Sequence, residues 1–203
     1  MEIILYISSR GDIMRTEIGY KLFRIKKSDP GKLFPLYVLS NEEIPMHTWI
    51  HAKCGEKVEG KVKSRLGLLK FRPGFHINDR MPYVSHIGVK ENGVIKFMHP
   101  DTVWCEVVYR TEIDYNEEAR ECGWNEDHTK YNDKAACLDK IPKNGFYYYK
   151  TSPSMTGKWV ISGEMKVNRI IPDDEVSKIC SKYGYEALPR REVFNITEYG
   201  FVA

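Results

Sequence analysis

The sequence predicts an α+β fold built on a mainly antiparallel, hairpin-rich sheet. The segments Asp29-Pro30-Gly31 and Asn92-Gly93 each separate two apolar runs, and such turn sequences are typical of β-hairpins. Runs rich in β-branched and aromatic residues recur along the chain and indicate about eight strands. Strands do not alternate with helices as in a parallel sheet. Two or three helices are expected, mostly in the C-terminal half.

The N-terminal third begins with a predicted strand at Glu2–Ser9, within residues 1–16, which we treat as a candidate extension of a single domain spanning 1–203. Gly19–Lys26 and Lys32–Leu39 flank the Asp-Pro-Gly turn and predict a hairpin. Its second strand contains a proline, which favours a sheet edge or a bulge. Pro45–Ala52 is expected to form one or two helical turns with proline at the first helical position.

The middle of the chain alternates between charged and apolar segments. Lys53–Lys70 is lysine-rich with spaced glycines, which indicates a loop able to meet phosphates. Phe75–Asn78 predicts a strand, and Gly88–Met98 predicts a hairpin with a type I′ turn. Thr102–Tyr109 has the composition of a buried strand. The acidic segment 112–144 is expected to be an irregularly helical excursion.

The C-terminal part returns to strand. Gly145–Lys150 and Lys158–Ile171 are predicted strands, the second bent at Gly163. Carboxylates follow Pro172, which predicts a helix that runs to Tyr183. The tail Arg190–Ala203 is expected to be extended.

Composition limits the class of protein. The chain has 203 residues, a formal net charge of +3 and five cysteines. An odd number of scattered cysteines without a CxxC pair is typical of a reduced cytoplasmic protein. The apolar start is too short to span a membrane. We therefore expect a cytoplasmic protein without a membrane partner, whose oligomeric state stays open.

The stretch Leu69–Gly88 is the densest in chemically active groups, since it contains His76 and His86 together with Arg72, Asp79 and Arg80. A metal site would need further ligands such as His99 or Cys54, and no ligand-spacing motif supports one. The sequence therefore favours hydrogen-bonded histidines at a sheet rim and no bound metal. Cys54, which lies among lysines, is a better candidate for a reactive thiol than Cys105, but an unreactive surface cysteine is favoured.

Charge distribution supplies the main functional hypothesis. Clustered cations beside aromatic residues are typical of a groove that follows phosphates and stacks bases. The candidate nucleic-acid-binding residues are Lys53, Lys57, Lys61, Lys63, Arg65, Lys70, Arg72 and Arg80. The acidic stretch Glu112–Asp127 is either a solvated face or a phosphate mimic that binds a basic groove on a protein partner.

One resemblance covers about Glu17 to Tyr199. The pattern FRPGFH…HIG, followed by HPDTVWCEVVY and GKWVISGEMKVNRII, resembles a group of uncharacterised proteins from phages, prophages and plasmids of gut bacteria. The resemblance implies a viral accessory protein in the cytoplasm of a bacterial host. An anti-defence role follows as an expectation, such as inhibition of a CRISPR–Cas nuclease by binding without catalysis.

A second resemblance concerns LFRI, GFHIND and WCEVVY followed by KWVISGEMKVNRII, which are similar to the strand order of ADP-ribosyltransferases. That family implies NAD as a cofactor, with Arg24 and His76 at the cofactor. The family's catalytic glutamate would stand at Gly157-Lys158, where this chain has none, and Glu106 or Glu164 would have to replace it.

Two hypotheses follow. The favoured one is a non-enzymatic protein that binds nucleic acid, a host nuclease ribonucleoprotein or both, without a cofactor. The alternative is an NAD-dependent enzyme that uses Arg24, His76, Glu106 or Glu164. No catalytic residue is assigned under the favoured hypothesis.

Overall fold

The protein is described by a computed structural model that covers residues 4–7, 13–84, 87–132, 134–151 and 155–202. Fourteen strands and two α-helices lie within these residues, with a 3₁₀ turn near the C-terminus. The strands are β1 Ile4–Ile7, β2 Ile13–Arg24, β3 Trp49–His51, β4 Lys57–Val58, β5 Lys61–Ser64, β6 Gly67–Lys70, β7 Phe75–Asn78, β8 Val89–Glu91, β9 Val94–Phe97, β10 Thr102–Arg110, β11 Ile113–Asp114, β12 Gly145–Tyr149, β13 Trp159–Ser162 and β14 Glu164–Ile170. The helices are α1 Asn116–Glu121 and α2 Asp173–Ser181, and the 3₁₀ turn is Ile196–Tyr199.

A nine-stranded sheet organises the molecule. Its strand order is β11-β12-β13-β7-β2-β10-β14-β3, and β1 pairs with the first part of β2. Neighbouring strands are antiparallel except for β11 and β12, which are parallel. Two smaller sheets are present among the described residues, one made of β4-β5-β6 and one of the hairpin β8-β9.

Both faces of the large sheet are buried. Successive side chains of its strands point to opposite faces, and each face carries a core cluster. On one face, Leu22 and Trp104 pack with Ile161 and with Val176 of α2. On the other face, Phe23, Val107 and Val160 belong to a second cluster. The long central strand β10 is buried along almost its whole length, as its continuous apolar sequence predicts.

The predicted α+β class and the mainly antiparallel sheet are confirmed. The hairpin at Asn92-Gly93 is present, with φ of 50° and 80° at these two residues, as a type I′ turn requires. The predicted strand at Phe75–Asn78 is β7, and Gly163 separates β13 from β14. Among the described residues there are two α-helices, in line with the expected two or three, but their expected concentration in the C-terminal half is not clear. The tail from Arg190 is largely irregular and includes the 3₁₀ turn.

Three local predictions in the first part of the chain are wrong. Lys32–Leu39 is not a strand: only Leu33 and Phe34 form isolated bridges, because Pro35 lacks an N–H for the ladder. Pro45–Ala52 contains the edge strand β3 instead of helical turns, and His47 has a φ of 61°, which an α-helix cannot accommodate. Lys53–Lys70 is not a loop, because its residues 57–70 form the entire sheet β4-β5-β6.

The acidic excursion is less helical than expected. Within 112–144, α1 has only six residues, and the rest of the described segment consists of turns and the short strand β11. The backbone N–H of Gly123 donates to the Arg120 carbonyl, which ends the helix. The predicted strand at Glu2–Ser9 is described only over β1, and the remaining N-terminal residues lie outside the described part of the chain. Within the described residues, no helix is long and apolar enough to cross a membrane.

Gly74 carries a conformational requirement that is open to test. Its φ is +134°, and a Cβ at this position would overlap with the Ile161 side chain. We expect Gly74→Ala to lower the free energy of unfolding by about 2 kcal/mol, since backbone strain and overpacking act together. Urea unfolding measures the change.

The matched control for this prediction is Gly60→Ala. Gly60 also has a positive φ, +73°, but nothing lies within 4 Å of a Cβ built there. In this variant only the backbone strain should lower the free energy of unfolding, by about 1 kcal/mol. Equal losses for the two variants would contradict the steric account of Gly74.

Candidate functional site

The large sheet opens between β2 and β7. These neighbouring strands share a single residue pair, Tyr20 with Asn78, whereas β2 and β10 pair over nine residues. A cavity of about 550 Å³, which we call the cleft, lies beside this opening. Its lining comes from β2, β7 and β10, from segment 35–45 and from the small sheet β4-β5-β6. Its volume lies within the range of small-molecule sites.

Lys21 spans the opening. Its Nζ donates a hydrogen bond to the main-chain carbonyl of His76, at 2.8 Å, where the ladder between β2 and β7 has ended. Burial lowers the pKa of Lys21 to about 8, because a poorly solvated site disfavours the ammonium form. Within the described residues Lys21 has no carboxylate partner. A cation held in this way is available to an anion in the cleft.

His76 lies beside Lys21 and is neutral. Burial, together with the positive charges of Lys21 and Arg72, lowers the pKa of His76 to about 3. Its ring meets the Tyr149 ring edge-on, with centroids 6.1 Å apart. At neutral pH the imidazole therefore adds a polar group to the cleft but no charge.

Two further cations line the cleft and bind backbone oxygens. Arg72 donates to the carbonyls of Lys134 and Ala136, at 2.9 and 3.1 Å, and its guanidinium stacks on Tyr149 at 3.7 Å from the ring centroid. Lys70 contacts the carbonyls of Lys134 and Ala135 at 3.4 and 3.2 Å. Burial and the charge of Arg72 lower the pKa of Lys70. In the described part of the chain neither cation forms a salt bridge.

Aromatic and amide groups complete the lining. Tyr149 and Trp159 stack on each other with ring centroids 6.5 Å apart, and Trp104 lies nearby in the same core cluster. The Asn78 amide donates to the Tyr83 carbonyl at 2.9 Å, while its Oδ1 is buried and has no partner among the residues that the structure describes. The Nε of Arg72 is likewise buried and unpaired. The cleft thus combines apolar rings, cations and unsatisfied polar atoms.

The carboxylates of the lining form salt bridges with nearby lysines. Glu42 pairs with Lys53 at 2.7 Å and Glu43 pairs with Lys32 at 2.9 Å, and all four side chains are well exposed. The charge that remains in the cleft is therefore positive.

The predicted nucleic-acid-binding residues are only partly brought together. In the small sheet, Lys61 is directly opposite Lys70, and Lys63 is two residues along from Lys61. These three lysines project from one face of the sheet, because residues at alternate positions share a face. We call this surface the lysine face. Val62 and Leu69, on the other face, line the cleft.

The other five predicted cations have different surroundings. Lys53 and Arg80 pair with Glu42 and Asp79. Lys57 lies over the Phe71 ring at 4.6 Å, and Arg72 is held in the cleft wall. The remaining one, Arg65, is exposed next to the lysine face.

The residues considered for NAD chemistry do not meet in one place. Arg24 donates to the Ser40 carbonyl, and Glu106 pairs with Arg169 at 3.0 Å. Glu164 pairs with Arg110 at 2.8 Å and borders a separate cavity of about 330 Å³. Of the four residues only His76 lines the cleft. The transferase alternative stays a prediction, which an NAD-consumption assay tests.

The metal and thiol candidates are placed as follows. His86 lies outside the described residues, so its relation to His76 stays a prediction. Among the residues that the structure covers, no three His, Cys, Asp or Glu side chains gather in an arrangement that holds a metal. Cys54 is exposed and Cys105 is buried, where burial raises the pKa of the Cys105 thiol strongly.

Sequence reasoning missed Lys21 and Asn78, although both line the cleft. Lys21 stands between apolar residues in GYKLFRI, where Arg24 is the other charge, and a charge within an apolar strand is the signal that could have identified it. Asn78 carried no comparable signal, because its role depends on where β2 and β7 separate.

Comparisons with protein-family models, curated proteins and solved structures give no match for this chain.

Proposed function

We propose that this protein binds a nucleic-acid strand, whose phosphates lie along the lysine face. The observation that carries the proposal is the placement of Lys61 directly opposite Lys70, with Lys63 on the same side of the sheet. Like charges at directly opposite positions destabilise a pair of strands. A phosphate backbone placed over Lys61 and Lys63 would reduce this repulsion and release counterions from the strand, while Lys70 keeps its contacts with the Lys134 and Ala135 carbonyls.

The ion pairs around this face do not prevent the interaction. Lys63 pairs with Glu56 at 3.3 Å, and both side chains are about two-thirds exposed. Exposed pairs of this kind contribute about 0–1 kcal/mol, so a phosphate competes with them easily. Lys61 has no side-chain partner among the described residues, and Arg65 adds an exposed cation at the edge of the same small sheet.

Apolar side chains support contact with bases beside the phosphates. Leu66 and Leu68 are 66% and 46% exposed, and Leu68 is directly opposite Lys63 on the lysine face. Exposed apolar side chains next to cations suit a strand that presents both phosphates and base faces. The resemblance to phage proteins motivates a further part of the proposal, namely that the strand belongs to a host nuclease ribonucleoprotein which the protein inhibits without catalysis.

The test is a titration of the full chain against single-stranded and duplex DNA and RNA at two salt concentrations. We expect the double variant Lys61→Ala/Lys63→Ala to weaken binding and to reduce the slope of log K against log salt by about 1.4–1.8, because two phosphate contacts are lost. Fluorescence anisotropy with labelled oligonucleotides measures both quantities.

A second double variant, Lys96→Ala/Lys182→Ala, removes the same charge from two other exposed positions and should leave the slope near that of the wild type. An unchanged slope in the lysine-face variant would overturn the proposal. The same outcome follows if the two double variants lose equal affinity, because net charge alone would then explain the effect.

A further inference from the structure

We propose that the cleft is a second binding site, separate from the lysine face, and that it takes a nucleotide: a planar base joined to a phosphate. The ligand is either a free mononucleotide or the phosphorylated end of a strand. The first argument is the uncompensated charge. Lys21 and Arg72 line the cleft, and within the described residues neither forms a salt bridge. Lys70 also borders the cleft, but it projects from the lysine face and contacts the carbonyls of Lys134 and Ala135.

Lys21 contributes most to this argument. Among the described residues its hydrogen-bond partner is the His76 carbonyl alone, at 2.8 Å. An ammonium group taken from water needs a charged partner to offset its desolvation. Arg72 lies near the same histidine and reinforces the positive field, since both cations lower the pKa of His76. An anion beside these groups would supply the missing charge.

The number of cations favours a phosphate over a carboxylate. A phosphate monoester carries a charge between −1.5 and −2 near neutral pH and offers three acceptor oxygens. A single carboxylate would leave more of the positive charge of the cleft uncompensated. The carboxylates already in the lining, Glu42 and Glu43, are paired with Lys53 and Lys32 and do not satisfy the inner cations.

The aromatic lining suits the other half of a nucleotide. Tyr149, Trp159 and Trp104 line the cleft, but they are buried, and Tyr149 is already stacked against Arg72 and Trp159. Phe71 and Phe75 also line it, are partly exposed and offer rings to a base. Stacking on such rings stabilises a bound base by about 1–3 kcal/mol and tolerates any base. The volume of about 550 Å³ lies in the range for ligands of this size.

The lysine face and the wall of the cleft are opposite sides of one small sheet. Of the three lysines of the lysine face, only Lys70 also lines the cleft. Val62 and Leu69 project into the cleft from the side opposite the lysine face. Substitutions on one side can therefore be tested against ligands of the other. Failure of strand binding at the lysine face would leave the nucleotide proposal intact, and the reverse also holds.

Isothermal titration calorimetry of the full chain with AMP, GMP, CMP and UMP tests the proposal, with inorganic phosphate and adenosine as partial ligands. We expect at least one nucleotide to bind at one site per chain, and each partial ligand to bind at least about tenfold more weakly. Lys21→Met, which keeps the length of the side chain, should weaken nucleotide binding by at least about tenfold.

Two further variants keep the test decisive. Leu69→Trp adds bulk to the cleft without touching a cation and should weaken nucleotide binding as well, even if Lys21→Met folds poorly. Lys96→Met, at an exposed position on β9, should bind as the wild type does, and so should Lys61→Ala/Lys63→Ala. A trinucleotide with a 5′-phosphate, compared with the mononucleotides, distinguishes a strand end from a free nucleotide.

Three results would overturn the proposal. The first is that none of the four nucleotides binds. The second is that folded Lys21→Met and Leu69→Trp bind as tightly as the wild type. The third is that inorganic phosphate binds as tightly as the nucleotides, because the aromatic lining would then contribute nothing.

Discussion

Lowering the pH from about 7 to about 4 should reduce the free energy of unfolding by about 3 kcal/mol through His76 alone. Its pKa in the fold is about 3, against an ordinary value of 6.5. Between these values the unfolded chain binds a proton at this position and the folded chain does not. Stability is therefore unaffected above pH 6.5 and falls as the pH drops towards the folded pKa.

The groups that face His76 explain why it resists protonation. Lys21 and Arg72 bring positive charge towards the ring, Tyr149 packs edge-on against it, and a backbone hydrogen bond with Gly74 opposes the shift only weakly. A proton on the imidazole would create a third cation in the same poorly solvated place.

Urea unfolding of the wild type and His76→Gln at both pH values isolates this contribution. Carboxylates such as Asp174 and Glu175, whose pKa values are lowered by Lys178 and Arg169, also lose stabilising interactions in acid. The informative quantity is therefore the difference between the two proteins. When the pH falls from about 7 to about 4, the free energy of unfolding of His76→Gln should decrease less than that of the wild type. That of His99→Gln, a substitution at an exposed position, should decrease as much as that of the wild type. Equal acid losses for wild type and His76→Gln would contradict the assignment.

Arg72→Ala should destabilise the protein by about 3 kcal/mol at neutral pH. The guanidinium donates to the carbonyls of Lys134 and Ala136 and stacks on Tyr149. Removing it leaves the Ala136 carbonyl without a charged donor, leaves the Lys134 carbonyl only its longer contact with Lys70, and exposes the Tyr149 ring, so hydrogen bonding and packing are lost together. Thermal and urea unfolding measure the change.

Arg72→Lys should recover little of this stability, because an ammonium group cannot reproduce the planar, forked contact with two carbonyls and a ring. The matched control is Arg80→Ala: Arg80 is exposed and lies 3.7 Å from Asp79, and its loss should cost about 0.5 kcal/mol or less. Full recovery in Arg72→Lys would show that charge alone matters at this position.

The sequence predicted the fold best at turns and buried strands, where neighbouring residues determine the local structure. Asn92-Gly93 specifies its hairpin because few other residue pairs adopt a positive φ at both positions. Thr102–Tyr109 specifies a central strand because it is apolar on both faces. The same reasoning gave a wrong prediction for the segment Pro45–Ala52. Its strand β3 forms by pairing with β14, and this pairing depends on tertiary contacts.

The candidate site was predictable in composition but not in geometry. The excess of lysine in Lys53–Lys70 is visible in the sequence, but the register that places Lys61 opposite Lys70 depends on strand pairing. Arg72 looks like a phosphate ligand in the sequence, whereas in the fold it binds the backbone of residues 134–136, some 62–64 positions away. Contacts of such sequence separation carry no local signal.

Because β2 and β7 share only the pair Tyr20 and Asn78, the two halves of the sheet can rotate relative to each other at this point, which we call the joint. Four strands lie on the β7 side of this pair and four continue from β2 to β3, so few backbone hydrogen bonds join the two halves, which are held together mainly by the packing of the two core clusters. A change in the width of the cleft requires rotation about this joint and breaks few hydrogen bonds. The Lys21 side chain crosses the gap, and its hydrogen bond to the His76 carbonyl connects the two halves. A ligand that draws Nζ away from this carbonyl would therefore remove one of the bonds between them as it binds.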